Sequence, residues 1–135
     1  MNIENTKAQL RKGALELVVL SIIRQAGEAY PTDVLRRLKA AELIVVEGTL
    51  YPLLNRLRTG GLLDYVWRES TGGPPRKYYS LTPAGGAFLA ELHVAYRALT
   101  SAVDATTQDL PASQDLPTAQ DLPTAPLTPK ALTPA

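Results

Sequence analysis

The stretch from Val46 to Gly61 limits the fold more than any other part of the chain. Four leucines follow one another in it at spacings of three, one and three residues: Leu50, Leu53, Leu54 and Leu57. In a helix of 3.6 residues per turn this spacing places all four on one side. We therefore predict a helix over residues 47–60 that buries these leucines.

The side opposite the leucines carries polar and basic groups. Gly48, Pro52, Asn55 and Thr59 form its centre, and Thr49, Tyr51, Arg56 and Arg58 flank them. No carboxylate lies between Gly48 and Gly61. Such a surface suits the phosphates and base edges of a DNA major groove. The alternative is an ordinary amphipathic helix with a solvated polar face, and the segment alone favours that alternative.

Pro52 fits this helix only near its start. A proline removes one helical hydrogen bond, and its ring presses on the carbonyl four residues earlier. That residue is Gly48, at or before the first turn. The helix should therefore begin close to Glu47, and the pair Gly60-Gly61 should end it through positive φ angles.

Two further helices are predicted before this one. Residues 6–26 form the first of them, with a polar N-terminal part. Apolar residues, Leu10, Ala14 and Leu17 among them, surround it on most sides from Ala14 to Ile23, which predicts a buried helix. A second helix opens at Pro31, with Tyr30 or Thr32 as its cap. Asp33 can pair with Arg37, four residues later, and Val34, Leu35 and Leu38 should form the buried stripe.

From Leu62 the apolar period changes from 3.6 to 2, which is typical of strands. Leu63, Tyr65 and Trp67 alternate with other residues, and a second alternating run covers residues 76–81. The turn sequence over residues 70–75 between them predicts a β-hairpin. Its tip should hold Gly72 to Pro75, with basic groups close by. Three helices followed by a hairpin is the order of a winged helix-turn-helix, so we assign residues 1–82 to such a domain in an α+β, mainly helical fold.

A last helix should start at Thr82-Pro83, with the threonine as its cap. Its apolar residues follow at spacings of four, four, three and four: Phe88, Leu92, Tyr96, Leu99 and Val103. This stripe is longer than one small domain needs to close its core. We therefore assign residues 83–107 to a dimerisation helix that packs against a second copy of the chain.

The remaining residues, 108–135, predict a disordered, Pro-rich tail. Three near-identical hexads, QDLPAS, QDLPTA and QDLPTA, begin at Gln108, and six of the chain's 11 prolines fall in this segment. One leucine per hexad cannot form a packed core. A solubilising role is favoured over the docking of a partner.

Composition argues against catalysis. The 135 residues include no cysteine and one histidine, His93, so neither a thiolate site nor a histidine cluster for a metal or cofactor is available. The longest apolar run is too short to span a bilayer. Residues 1–107 carry a net charge of +3 and the tail −2, so DNA binding would rely on local patches and on dimerisation. We expect a cytoplasmic protein that is not an enzyme.

Three motifs together resemble the PadR family of bacterial transcriptional regulators. They are LRKGALELVVLSII from Leu10, EGTLYPLLNRLRTGGLL from Glu47, and PRKYYSLTPAG from Pro75. The combination spans about residues 10–86 in the order and spacing of that family. The sequence departs from the family at Tyr30-Pro31-Thr32-Asp33, where a Tyr-Gly-Tyr-Glu-like segment is usual.

The resemblance implies a homodimeric repressor that binds a palindromic operator. The helix from Glu47 would enter the major groove with Thr49, Tyr51 and Arg56, joined by Asn55 from the exposed face, while Lys12, Arg76 and Lys77 would contact phosphates. Members often respond to phenolic acids or cationic drugs near the dimer interface. A pocket for such a small aromatic effector could be lined by Trp67, Phe88 and Tyr96, with core or interface packing as the alternative role for these rings. A winged-helix interaction module that never meets DNA is the alternative function.

Overall fold

The computed structural model describes residues 1–43 and 45–111, and its elements follow the predicted order. They are the helices α1 (Ile3–Ala26), α2 (Pro31–Ala40) and α3 (Glu47–Thr59), the strands β1 (Leu63–Ser70) and β2 (Gly73–Leu81), and the helix α4 (Pro83–Thr106). This confirms the mainly helical α+β class and the winged helix-turn-helix. Residues 1–99 form one compact unit. The predicted tail lies outside the described residues from position 112 onward.

Helix α1 has an exposed first half and a buried second half. It begins three residues earlier than predicted, because the Asn2 side chain accepts a hydrogen bond from the backbone N–H of Glu4 at 2.9 Å and so caps the helix. Residues 1–13 are all exposed, and Leu10, which we expected to be buried, is 76% exposed. Burial starts at Leu15 and continues to Ile23.

Helix α2 confirms the predicted opening but corrects its ion pair. Tyr30 is the N-cap, Pro31 is the first helical residue, and the Tyr30 backbone N–H donates to the Asp33 carboxylate at 3.4 Å. Asp33 pairs with Arg36 at 3.0 Å, and not with Arg37 as predicted. Residues three apart are also neighbours on a helix, and here the shorter spacing is the one used.

Helix α3 is central to the core. Its four leucines are buried as predicted, and Leu50 and Leu54 have no exposed surface. The helix starts at Glu47 and contains Pro52 in its first half. Of the two glycines after it, only Gly61 has a positive φ, of 80°, whereas Gly60 remains in the helical region at −75°. One glycine is therefore enough to turn the chain into the hairpin.

The hairpin is antiparallel and is tied to the α1–α2 turn. Leu63 faces Leu81, Tyr65 faces Tyr79, and Trp67 faces Lys77 across the two strands. Ala29 adds a short bridge, because its N–H and C=O exchange hydrogen bonds with Tyr79 at 3.0 and 2.8 Å. The hairpin is therefore fixed to the helical core through Tyr79, whose burial raises the pKa of its phenol.

The turn of the hairpin is shorter than predicted. Gly72 turns the chain with a φ of 79°, and strand β2 already starts at Gly73, so that Pro74 and Pro75 belong to the strand and not to the tip. Prolines are tolerated there because a two-stranded sheet has only edge strands, whose outward N–H groups need no partner.

The start of α4 is joined to the end of α3 at a tight junction. The Thr82 hydroxyl accepts the Gly85 backbone N–H at 2.9 Å and donates to the Gly61 carbonyl at 2.6 Å. This confirms Thr82 as the cap. Gly85 lies so close to the backbone of Leu62 that a Cβ atom at this position would overlap the Leu62 carbonyl oxygen. At Gly86, by contrast, an added Cβ atom would have no neighbouring heavy atom within 4 Å outside its own helical turn.

This junction predicts opposite effects for two neighbouring glycines. Gly85→Ala should lower the free energy of unfolding by about 1–3 kcal/mol, because backbone must move to admit the methyl group. Gly86→Ala should raise it by up to about 1 kcal/mol, because alanine favours the helix. Urea denaturation followed by circular dichroism measures both. Equal stability of the two variants would contradict the close approach of α4 to Leu62.

Candidate nucleic-acid interface

The polar side of α3 is open to solvent. All eight of its residues are exposed: Gly48, Thr49, Tyr51, Pro52, Asn55, Arg56, Arg58 and Thr59. We call this set the open face. Because the leucines on the other side are buried, α3 cannot turn to hide these groups without breaking the core.

One flank of the open face lies beside α1. An Nη2 atom of Arg56 donates to Oε1 of Glu16 at 2.8 Å, which connects the middle of α1 to the second half of α3. Thr49, on the same flank, shares a half-open cavity of about 320 Å³ with Arg11 and Lys12 and with apolar side chains. Two cations from α1 therefore stand next to the start of α3. Of these, Lys12 was predicted from the sequence.

The other flank of the open face lies beside the hairpin. The Arg58 guanidinium is 4.9 Å from the centre of the Tyr65 ring, and Lys77 Nζ is 4.4 Å from the same ring and 5.3 Å from that of Trp67. These distances are in the range of cation–π attraction. Arg58 and Lys77 are thereby held on the same face of the hairpin, the one that carries Tyr65.

Arg58 is a residue that sequence reasoning did not select as a contact. It follows Tyr51 by seven residues, close to two helical turns, so both side chains lie on the same flank of α3. That spacing was available in the sequence. The missing information was the position of Tyr65, which holds the guanidinium in place.

Arg76 and Lys77, which we predicted to act together, lie on opposite faces of the hairpin. Neighbouring strand residues point to opposite sides, and Arg76 accordingly lies 4.8 Å from the ring of Tyr30 at the start of α2. Arg68 is on the same face and contacts both carboxylate oxygens of Glu28 at 2.8 and 2.6 Å. The hydrogen bond that Arg68 donates to Glu28, together with the negative charge of that carboxylate, raises the pKa of Arg68. This face of the hairpin is thus directed towards the α1–α2 turn and the start of α2, and only Lys77 shares a side with α3.

The predicted dimer stripe is exposed along α4. Phe88, Tyr96, Leu99 and Val103 are exposed, and Leu92 is half-buried against the core. The three aromatic residues predicted to line one pocket do not share a depression in the single chain. Trp67, 61% exposed, lines one on the hairpin with Pro74 and Pro75, whereas Phe88 lines another with Leu92.

The described residues contain no group of three or more His, Cys, Asp or Glu side chains that could hold a metal ion. His93 is exposed on α4. Within the same residues no helix combines the length and apolarity needed to cross a membrane.

Comparison with known proteins identifies relatives of this chain. The model of a family described as "Transcriptional regulator PadR-like family" matches residues 19–91. No curated protein matches the chain.

Solved structures show the same relationship. A PadR-like transcription factor from "bacteroid fragilis" is 50% identical, with 76% of this chain and 98% of that chain covered and a TM-score of 0.64. A PadR family transcriptional regulator from Eggerthella lenta is 33% identical, with 77% and 90% covered and a TM-score of 0.71. Bacillus subtilis PadR, solved in complex with operator DNA, shares the fold at 21% identity, with 60% and 47% covered and a TM-score of 0.55.

Proposed function

The chain belongs to the PadR-like family of transcriptional regulators, and from that premise we propose that it is a cytoplasmic repressor that binds a palindromic DNA operator as a homodimer. Since the family consists of transcriptional regulators and not of enzymes, the expectation of a non-catalytic protein is confirmed.

The observation that supports DNA binding best is the open face with cations on both sides. The face itself has no carboxylate between Gly48 and Gly61. In the proposal Thr49, Tyr51 and Asn55 point at base edges, whereas Lys12 on one flank and Lys77 on the other contact phosphates. Bacillus subtilis PadR, which shares this fold, was solved in complex with operator DNA.

Two further cations enter the proposal with different geometry. Arg58 joins Lys77 on the hairpin flank, because both lie against Tyr65. Arg76, against Tyr30, can contact only a phosphate that passes the other face of the hairpin. We therefore assign Arg76 a smaller share of the affinity than Lys77.

The dimer is proposed from the exposed apolar stripe of α4. Phe88, Tyr96, Leu99 and Val103 leave apolar surface in water that a second copy of α4 would cover. An isologous pair of subunits has two-fold symmetry, so its two copies of α3 would read the two halves of a palindrome.

A small aromatic effector is the third part of the proposal. Trp67, Phe88 and Tyr96 are all exposed, and Trp67 and Phe88 line separate depressions in the single chain. In the proposal the second subunit completes the pocket in which a ligand stacks on these rings. Titration of Trp67 fluorescence with phenolic acids and aromatic cations tests this part. The absence of a response from the whole panel would leave the three rings as interface packing.

Loss of one cation on either flank should weaken DNA binding. We expect Lys77→Ala to lower the affinity for a duplex and to reduce the slope of log K against log salt by about 0.9, the value for one phosphate contact. Arg56→Ala should lower the affinity for the operator with a smaller change of slope, because Arg56 is proposed to contact a base edge. Arg36→Ala is the matched control, because Arg36 is an exposed arginine of α2. Fluorescence anisotropy over a salt series measures all three.

Unchanged affinity in both variants would contradict the assigned surface. A wild-type protein that binds no duplex even at low salt would instead favour the interaction module.

Leu99→Asp should convert the dimer into monomers at micromolar concentration, since a carboxylate in the apolar stripe would be buried without a partner. Val94→Asp is the matched control: Val94 is an exposed apolar residue of the same helix, 69% exposed, but lies off the stripe. Sedimentation velocity gives the masses. A wild-type monomer, or a dimer in both variants, would contradict the interface.

A further inference from the structure

We propose that Glu16 is a specificity-determining residue, which holds Arg56 so that it reads a base edge instead of swinging onto the phosphates. This inference rests on the proposed function. Glu16 belongs to α1, outside α3, and is not among the DNA contacts predicted from the sequence.

The contact joins two helices at the border of the open face. Arg56 Nη2 and Glu16 Oε1 are 2.8 Å apart, with 67% of the Arg56 side chain and 37% of the Glu16 side chain exposed. Among the other ion pairs of the described residues, Glu4–Lys7 lies within α1 and Asp33–Arg36 within α2. Glu28–Arg68 lies on the face of the hairpin that is directed towards the α1–α2 turn. The Glu16–Arg56 pair is therefore the one that touches the open face.

The geometry of the pair leaves Arg56 able to bind something else. A guanidinium carries five N–H donors, and only one nitrogen of Arg56 is bonded to Glu16. The remaining donors are free to form the bidentate hydrogen bonds by which arginine recognises guanine. Glu16 thus fixes the direction of the side chain without saturating it.

The direction of the side chain matters because an arginine that is free to move does not distinguish one DNA sequence from another. A long, flexible guanidinium can reach whichever phosphate is nearest, and phosphates are the same in every sequence. Such contacts stabilise operator and random DNA alike. An arginine held by a neighbouring carboxylate loses these alternatives and gains binding energy only where a matching base is present.

The charge of Glu16 acts in the same direction. α3 has no carboxylate between Gly48 and Gly61, so Glu16 adds a negative charge to the flank of the open face on which Arg11, Lys12 and Arg56 lie. It offsets the charge of Arg56 and repels the phosphate backbone, which lowers the affinity for every duplex. At this position a lower affinity for DNA of any sequence therefore accompanies a stronger preference for the operator.

Glu16→Gln tests the inference because it removes the charge and weakens the hold on Arg56 at nearly constant size. The dissociation constants of the operator, selected from random duplexes, and of a scrambled duplex are measured by anisotropy over a salt series. Affinity for the scrambled duplex should rise about two- to fivefold, the range expected for an exposed ion pair. Affinity for the operator should rise by a smaller factor, so that the discrimination ratio, which is the affinity for the operator divided by that for the scrambled duplex, falls.

The salt dependence separates positioning from a structural effect. For the scrambled duplex the slope of log K against log salt should steepen by about 0.9, because the released Arg56 neutralises one more phosphate. Glu16→Asp keeps the charge but shortens the side chain, and should also lower the discrimination ratio. Glu4→Gln is the matched control: it removes one charge from the same helix, where Glu4 pairs with Lys7, and should leave the ratio unchanged.

The outcomes that overturn the inference are distinct from those that overturn the proposed function. If Glu16→Gln changes the affinity for the operator and for the scrambled duplex by the same factor, or changes neither affinity, Glu16 does not determine specificity. If the wild type shows no preference for any duplex, the proposed function fails and this inference fails with it. Thermal unfolding of each variant shows whether α1 and α3 remain packed.

Discussion

The burial of four leucines on one side of α3 is the constraint on which the rest of the structure depends. Leu50 and Leu54 are fully buried, and Leu53 and Leu57 nearly so. Truncating a residue of this kind to alanine costs about 2–5 kcal/mol, a large part of the stability of a small domain. The helix therefore has one orientation, and its polar side is exposed because the other side must be buried.

The neighbouring elements, α1 and the hairpin, lie on either side of the open face of α3. The bridge between Ala29 and Tyr79 fixes the hairpin on the core, and the close approach of Gly85 to Leu62 fixes the start of α4. As a result, cations from α1 stand on one side of α3 and those from the hairpin on the other. The affinity for DNA in our proposal comes from this arrangement, since the net charge of the whole chain is only +1.

Features governed by local periodicity could be predicted from the sequence. The leucine face, the order of helices and hairpin, and the Thr82 cap depend on residues a few positions apart, so the pattern contains them. The start of β2 at Gly73 was missed because the two prolines after it suggested a turn, although an edge strand accepts them. The separation of Arg76 from Lys77 follows from strand alternation and was overlooked.

Features governed by distant residues could not be predicted in this way. Glu16 and Arg56 are 40 positions apart, and Arg58 is held by Tyr65 from another element. No periodicity connects such pairs, because their contact depends on how α1 and the hairpin pack on α3. The border of the candidate site, where specificity is set in our account, is thus the part that required the structure.

The most direct test of the account places a photo-crosslinking amino acid at Asn55, in the centre of the open face, and irradiates the protein with a bound duplex. We predict a crosslink to a base in the major groove, one in each half of the bound site. A crosslink to the partner subunit, or none to DNA while binding persists, would show that this face does not meet the duplex.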